Sequence, residues 1–189
     1  MPIGQLLSAG PAGPFAAYVV HTNPYVVGGS AAIRIAPRFS VGVDALLRHW
    51  SYDNQGKSNP GFSVFTSRTT ANAWEFPLVA RRRFRSGKPV SPFAETGAAV
   101  DWLQHMRQVT TVSNFLGGSS TSSTSQPPEV QRRTMAGVVA GGGVDVRLRR
   151  LHVEPEVRYT CWGWRHFAEP GSALWSNRNQ VEVLLGIAF

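Results

Sequence analysis

Along seven stretches of this chain, apolar and polar side chains alternate one for one, and charged residues keep to one side of the alternation. Successive side chains of an extended strand point to opposite faces, so a period of two marks β-strands. The stretches lie near residues 25–35, 39–52, 73–84, 90–102, 134–148, 151–162 and 179–189. Of the eleven acidic residues, Asp44, Glu75, Glu95, Asp101, Asp145, Glu154, Glu156 and Glu182 fall within them, each opposite the apolar row. Arg34, Arg48, Arg81, Arg83, Arg147 and Arg158 share that side. The apolar rows are β-branched, aromatic and leucine residues, whereas the other face carries both signs of charge and glycines. This suits a sheet with its charges turned into a narrow lumen and its apolar row turned outward. An unpaired charge there is costly, so both signs are needed.

The connections alternate as well. Short turns at 36–38, 85–89 and 149–150 separate longer polar segments at 53–69, 105–133 and 163–176. Membrane barrels show this segregation, with short turns on the periplasmic side and long loops outside. The strands reach the roughly nine to eleven residues that a tilted strand needs to cross a bilayer. No run approaches the roughly 18 apolar residues of a spanning helix. The Ser/Thr/Gly-rich segment 105–133 is too polar to bury a core and is predicted to be a mobile loop.

Seven strands cannot close in antiparallel register, because the first and last run parallel; an eighth is expected at the N-terminus. Two readings stay open. Residues 1–7 are the outer remnant of strand one with 8–24 as its outer loop, or 14–21 form the strand and 21–24 a turn. Met1-Pro-Ile-Gly has neither a charged n-region nor an apolar h-region. An exported chain would then begin inside its mature part. The fold expected over residues 1–189 is a single all-β domain, an eight-stranded antiparallel up-and-down transmembrane β-barrel with an incomplete first strand.

The net charge of +8 comes from arginine, with lysine only at Lys57 and Lys88. The basic residues are dispersed rather than gathered on one face, which argues against nucleic acid as a partner. Cys161 is the single cysteine, so neither a disulfide framework nor a thiolate metal site is available. No cofactor or metal is expected, and the chain is expected to be a monomer.

Several motifs fit this barrel: Val41-Gly-Val-Asp-Ala-Leu-Leu-Arg48, Trp74-Glu-Phe-Pro-Leu78, Pro92-Phe-Ala-Glu-Thr-Gly97, Gly137-Val-Val-Ala-Gly-Gly-Gly143, Pro155-Glu-Val-Arg-Tyr159 and the ending 179–189. With them the chain resembles the small outer-membrane β-barrels of the OmpA-like porin family across its length. The resemblance implies outer-membrane location and assembly by the barrel-insertion machinery. That machinery would read Val181, Val183, Leu185, Ile187 and Phe189 as a C-terminal signal. No peptidoglycan-binding domain follows, so cell-wall tethering is not implied.

Asp44, Arg48, Glu75, Arg81, Arg83, Glu95, Asp101, Asp145, Arg147, Glu154, Glu156, Arg158 and Glu182 are expected to form a structural charge network in the lumen. His152 beside Glu154 and Glu156 is read as part of it rather than as a metal or acid–base site. Trp50, Trp74, Trp102, Trp162, Trp164 and Trp175 lie near strand ends, where lipid-facing members would make an interfacial girdle. The run Gly141-Gly-Gly143 gives space for bulky lumen side chains. Lys57, Arg68, Arg107, Arg132 and Arg133 fall in the outer loops, where they either meet lipopolysaccharide headgroups or are solvated surface charge. His49 and Ser51 share the lipid-facing side near the outer rim, the only local pairing of a nucleophile with a base. No acid is expected beside them, so no enzyme is expected. The expected role is structural or surface contact through the outer loops. The alternatives are a narrow pore and a lipid-modifying enzyme.

Overall fold

Alternating β-branched, aromatic and small residues put almost every described segment into extended strand. The computed structural model describes residues 7–9, 16–22, 25–57, 63–84, 89–115, 117–148, 151–167 and 174–188. Its strands are β1 (Leu7–Ala9), β2 (Ala16–Thr22), β3 (Val27–Ala36), β4 (Phe39–Lys57), β5 (Ser63–Arg83), β6 (Val90–Asn114), β7 (Ser119–Thr124), β8 (Thr134–Leu148), β9 (Leu151–Trp162), β10 (Leu174–Ser176) and β11 (Asn179–Ala188). Nine of them form one antiparallel sheet that curls into a half-barrel. The order is β11-β9-β8-β6-β5-β4-β2, with β3 also on β4 and β7 on β6. No helix of the described residues is long and apolar enough to cross a membrane, a fact that leaves β-barrels untouched.

The structure has strand at Ala16–Thr22, close to the 14–21 of the second N-terminal reading, while residues 1–6 and 23–24 lie outside the described residues. Ala16–Thr22 does not flank β3 but runs in the same direction along the same neighbour. It lies on β4, with Ala16 opposite Gly56 and Thr22 opposite Trp50. β3 continues along the same edge, with Val27 opposite Leu47 and Arg34 opposite Ser40. Even-numbered residues of both strands therefore share one face. Leu7–Ala9 pairs with Leu174–Ser176, so the segment 163–176 is not loop throughout.

The predicted outer loops are also largely strand. β4 and β5 stay paired out to Lys57 opposite Val64, so most of 53–69 belongs to a hairpin. The segment 105–133, predicted to be mobile, begins as the upper part of β6 and returns as β7, with Ser113 opposite Ser119. Polar composition prevents a buried core here, but a backbone ladder does not need one. Threonine and valine favour strands, and hydroxyls add cross-strand contacts: Ser67 Oγ to Thr110 Oγ1 at 2.7 Å and Thr111 Oγ1 to Thr121 Oγ1 at 3.3 Å. The reversal falls at Gly117 and Gly118, whose φ values of 92° and 108° suit glycine. Upper β6 sits between β5 and β7. Its amides are therefore expected to exchange with deuterium as slowly as those of lower β6, while the turn at Gly117 exchanges fast. Fast exchange throughout 105–124 would restore the mobile loop.

Candidate functional site

The two faces of the curled sheet have opposite chemistry. On the concave face Glu95 is 4% exposed and Glu182 1%, whereas on the convex face Leu78 is 56% and Leu185 66% exposed. The convex row continues through Phe76, Val100, Val138, Val157, Val183 and Ile187, all exposed. Strand alternation fixes which residues go where; the curl of the sheet fixes what they meet.

The concave face holds two groups of charges. In the first, Arg158 Nη2 reaches Asp44 at 2.8 Å, Glu156 at 2.9 Å and Glu95 at 3.1 Å. Arg81 contacts Glu95 at 2.9 Å, Glu156 at 3.0 Å and Glu154 at 2.5 Å. Arg83 lies 3.6 Å from Asp145 and 3.7 Å from Glu154, and His152 Nδ1 is 3.0 Å from Asp145. Two glycines make the space: a Cβ on Gly141 would lie 3.3 Å from the Glu95 carboxylate, and one on Gly143 would lie 2.7 Å from Phe93. The Phe93 ring in turn lies 4.0 Å from the Arg81 guanidinium carbon.

In the second group Arg48 bonds Glu182 and lies 3.8 Å from Glu75. Gln180 donates to Glu75 at 3.2 Å, and Trp162 Nε1 donates to Gln180 Oε1 at 3.1 Å. Asp101 faces His166 Nε2 at 3.4 Å rather than an arginine. An apolar cluster follows: Trp50 stacks on Tyr52 at 5.9 Å, and Phe167 meets their rings edge-on at 5.5 and 5.9 Å. Ala71, Ala73, Leu103, Met106 and Leu174 pack with them. The space left beside Trp50, Asp101 and His166 is ≈ 20 Å³, room for about one water.

Not every predicted residue joins these groups. Arg147 is exposed and pairs with no acid among the described residues, because it lies opposite His152 at the strand's end. Val181, Val183, Leu185 and Ile187 lie on the convex row of β11; Phe189 is outside the described residues. The tryptophans divide. Trp74 and Trp102 are cross-strand partners on the convex face, and Trp164 is exposed. Trp50 and Trp162 are buried on the concave face, and the Trp175 side chain lies outside the description. Sequence reading missed Gln180, His166, Tyr52 and Phe167, since neutral polar and loop residues carry no periodic signal.

A further cluster lies on the convex face beyond the Trp74–Trp102 pair. His49 Nδ1 is 2.8 Å from Asn72 Oδ1, its partner on β5. Ser51, two residues on, is opposite His21 on β2 and Thr70 on β5. His21 Nε2 is 3.1 Å from Asp53 Oδ2, and Arg68 Nε lies 3.9 Å from the other oxygen. The expectation that no acid shares the face of His49 and Ser51 is therefore corrected: Asp53 belongs to β4, not to a loop. Close by, β6 changes phase at His105, whose φ is 49°, and β5 and β6 shift register between Thr70 and Asn72. Arg107 comes opposite Thr70 as a result. Bulges of this kind re-aim side chains beside functional sites. The described residues contain no group of three or more metal-ligating side chains. A scan against protein-family models finds no match, and a search of curated proteins finds none.

Proposed function

We propose that this chain is an integral outer-membrane protein whose curled sheet is closed by one more strand into an eight-stranded barrel with a side-chain-filled lumen. The observation that carries it is the reversed polarity of the faces, with the Arg158 and Arg81 ion groups inside and a continuous Leu, Val, Ile and Phe surface outside. Monomers in water rarely expose a contiguous apolar row of this kind, and such surfaces mark membrane or protein contacts. Among the described residues β3 has only β4 as neighbour and β11 only β9. Across the antiparallel order β3 and β11 run in the same direction, so one antiparallel strand fits between them. The pairing of β1 with β10 supports the N-terminus as its source. Such a barrel would use the insertion machinery through β11, would work as a monomer, and would meet lipopolysaccharide through Arg68, Arg107 and the outer hairpins.

The test is fractionation and electrophoresis of the full chain. It is expected in the outer membrane, soluble only with detergent, and migrating differently before and after heating. A chain that stays soluble without detergent and migrates identically would defeat the proposal. The packed charges and the aromatic cluster on the concave face support a filled lumen rather than a pore.

A second reading is favoured by the convex cluster: an ester hydrolase acting on lipid at the outer rim. His49, Ser51 and His21 lie just beyond the Trp74–Trp102 pair. In the membrane reading those two rings mark the boundary where apolar chains give way to headgroups. Lipid ester bonds lie at that depth.

A further inference from the structure

We infer that Ser51, His21 and Asp53 form a nucleophile–base–carboxylate set on the outer face of the sheet, an assignment that rests on the hydrolytic reading of the rim. The neighbouring strand supplies the base. Sequence adjacency singles out His49, but the sheet places His21 directly opposite Ser51. Directly opposed residues have Cβ atoms about 4.5–5.5 Å apart. Positions two apart along a strand are separated by roughly 6.5–7 Å. His21 is thus the nearer imidazole by about 1–2 Å of backbone separation.

The partners of the two histidines differ as well. His49 faces a neutral amide oxygen of Asn72 at 2.8 Å. His21 faces a carboxylate, Asp53 Oδ2, at 3.1 Å. With Nε2–H donating to Asp53, the Nδ1 lone pair of His21 is left for the serine. The carboxylate also stabilises the imidazolium that forms when the proton is taken, which an amide does far less well. Ser51 is 8% exposed, a small side chain flanked by the larger His21, His49, Asp53 and Thr70. The assignment requires the His21 ring to turn toward Ser51, and such bonds are commonly long before substrate binds.

The substrate class is a carboxylic ester of a long acyl chain whose polar end carries negative charge. The apolar band beside Trp74 and Trp102 receives the chain, and Arg68 and Arg107 lie on the headgroup side. Ser51 Oγ attacks the ester carbonyl carbon while its proton passes to His21 Nδ1, and the carbonyl electron pair moves onto oxygen. The tetrahedral adduct collapses, the bond to the alcohol oxygen breaks, and His21 returns the proton to that oxygen. Water, deprotonated by His21, then attacks the acyl-serine and releases the carboxylic acid with Ser51 restored. Ser51 and His21 are the catalytic residues; Asp53 is a positioning residue.

The test uses the full chain in detergent micelles with 4-nitrophenyl octanoate as substrate and a fluorophosphonate as label. Label is expected on Ser51, and Ser51→Ala is expected to reduce hydrolysis to background. His21→Gln and Asp53→Asn are each expected to lower kcat by about 10²–10⁴-fold with KM little changed. Asp53→Glu should recover part of the loss, which a merely structural aspartate would not. His21 is exposed on an edge strand, so its variants keep the heat-modifiable migration of the parent. If His49→Gln abolishes turnover while His21→Gln and Asp53→Asn keep the parent kcat, the assignment of His21 is overturned and the hydrolase reading survives with His49 as base. If the parent neither hydrolyses the ester nor takes the label, or if Ser51→Ala is fully active, both are overturned.

Discussion

Replacing Arg158 with methionine is expected to destabilise the protein by about 3–5 kcal/mol, the range for removing one partner of a buried ion group. Arg158 is 2% exposed, and its Nη2 faces Asp44, Glu95 and Glu156 together. Without it those carboxylates keep only Arg81, which contacts Glu95 and Glu156 but not Asp44. Urea unfolding in lipid vesicles, followed by tryptophan fluorescence, reads the change. Adding Glu156→Gln to Arg158→Met removes one stranded charge and should recover part of the loss. A single variant within about 0.5 kcal/mol of the parent, the usual range for a surface substitution, would mean that water screens the interior. The charge network would then not be structural.

Leu78→Arg is expected to cost about 2–4 kcal/mol in a bilayer, the range for arginine at the midplane of a barrel's lipid face. Leu78 lies on the convex face, 56% exposed, with Ala98 and Val43 as its cross-strand partners. The same substitution on a sheet surrounded by water should change stability by no more than about 0.5 kcal/mol. The measurement therefore separates the two environments for this face without reference to any activity. Val157→Arg, at the centre of β9, should behave the same way, whereas Arg82, already convex but near the end of β5, should tolerate replacement.

Much of the fold was legible because strand faces are a local property. Val181, Val183, Leu185 and Ile187 alternate with Gln180, Glu182 and Leu184, and no tertiary information is needed to divide them. Element lengths were less legible. Hydrophobicity marks where a strand is covered, not where its backbone ladder ends, so β4, β5 and β6 continue into hydroxyl-rich hairpins that read as loops. The parity of β4 puts Trp50 on the side of Asp44 and Arg48, but its packing onto Tyr52 and Phe167 is a long-range contact that no local pattern carries. Asp53 reads as a loop residue because the alternation fades at residue 52, five residues before β4 ends at Lys57.

The sorting of charge is written in the amino-acid order, since alternation along a strand assigns Glu95, Arg81, Glu156 and Arg158 to a common side whatever the neighbours are. So is the presence of both signs there. Which carboxylate meets which arginine depends on the assembled sheet, because the partners of Arg158 come from β4, β6 and β9 through their register. The sheet alone brings His21 to Ser51 and Asp53, residues about thirty positions away along the chain. The physical reason is that a strand's faces follow from its own backbone geometry. Its register is a long-range pairing, fixed by the strands that lie on either side of it, and no local pattern encodes it.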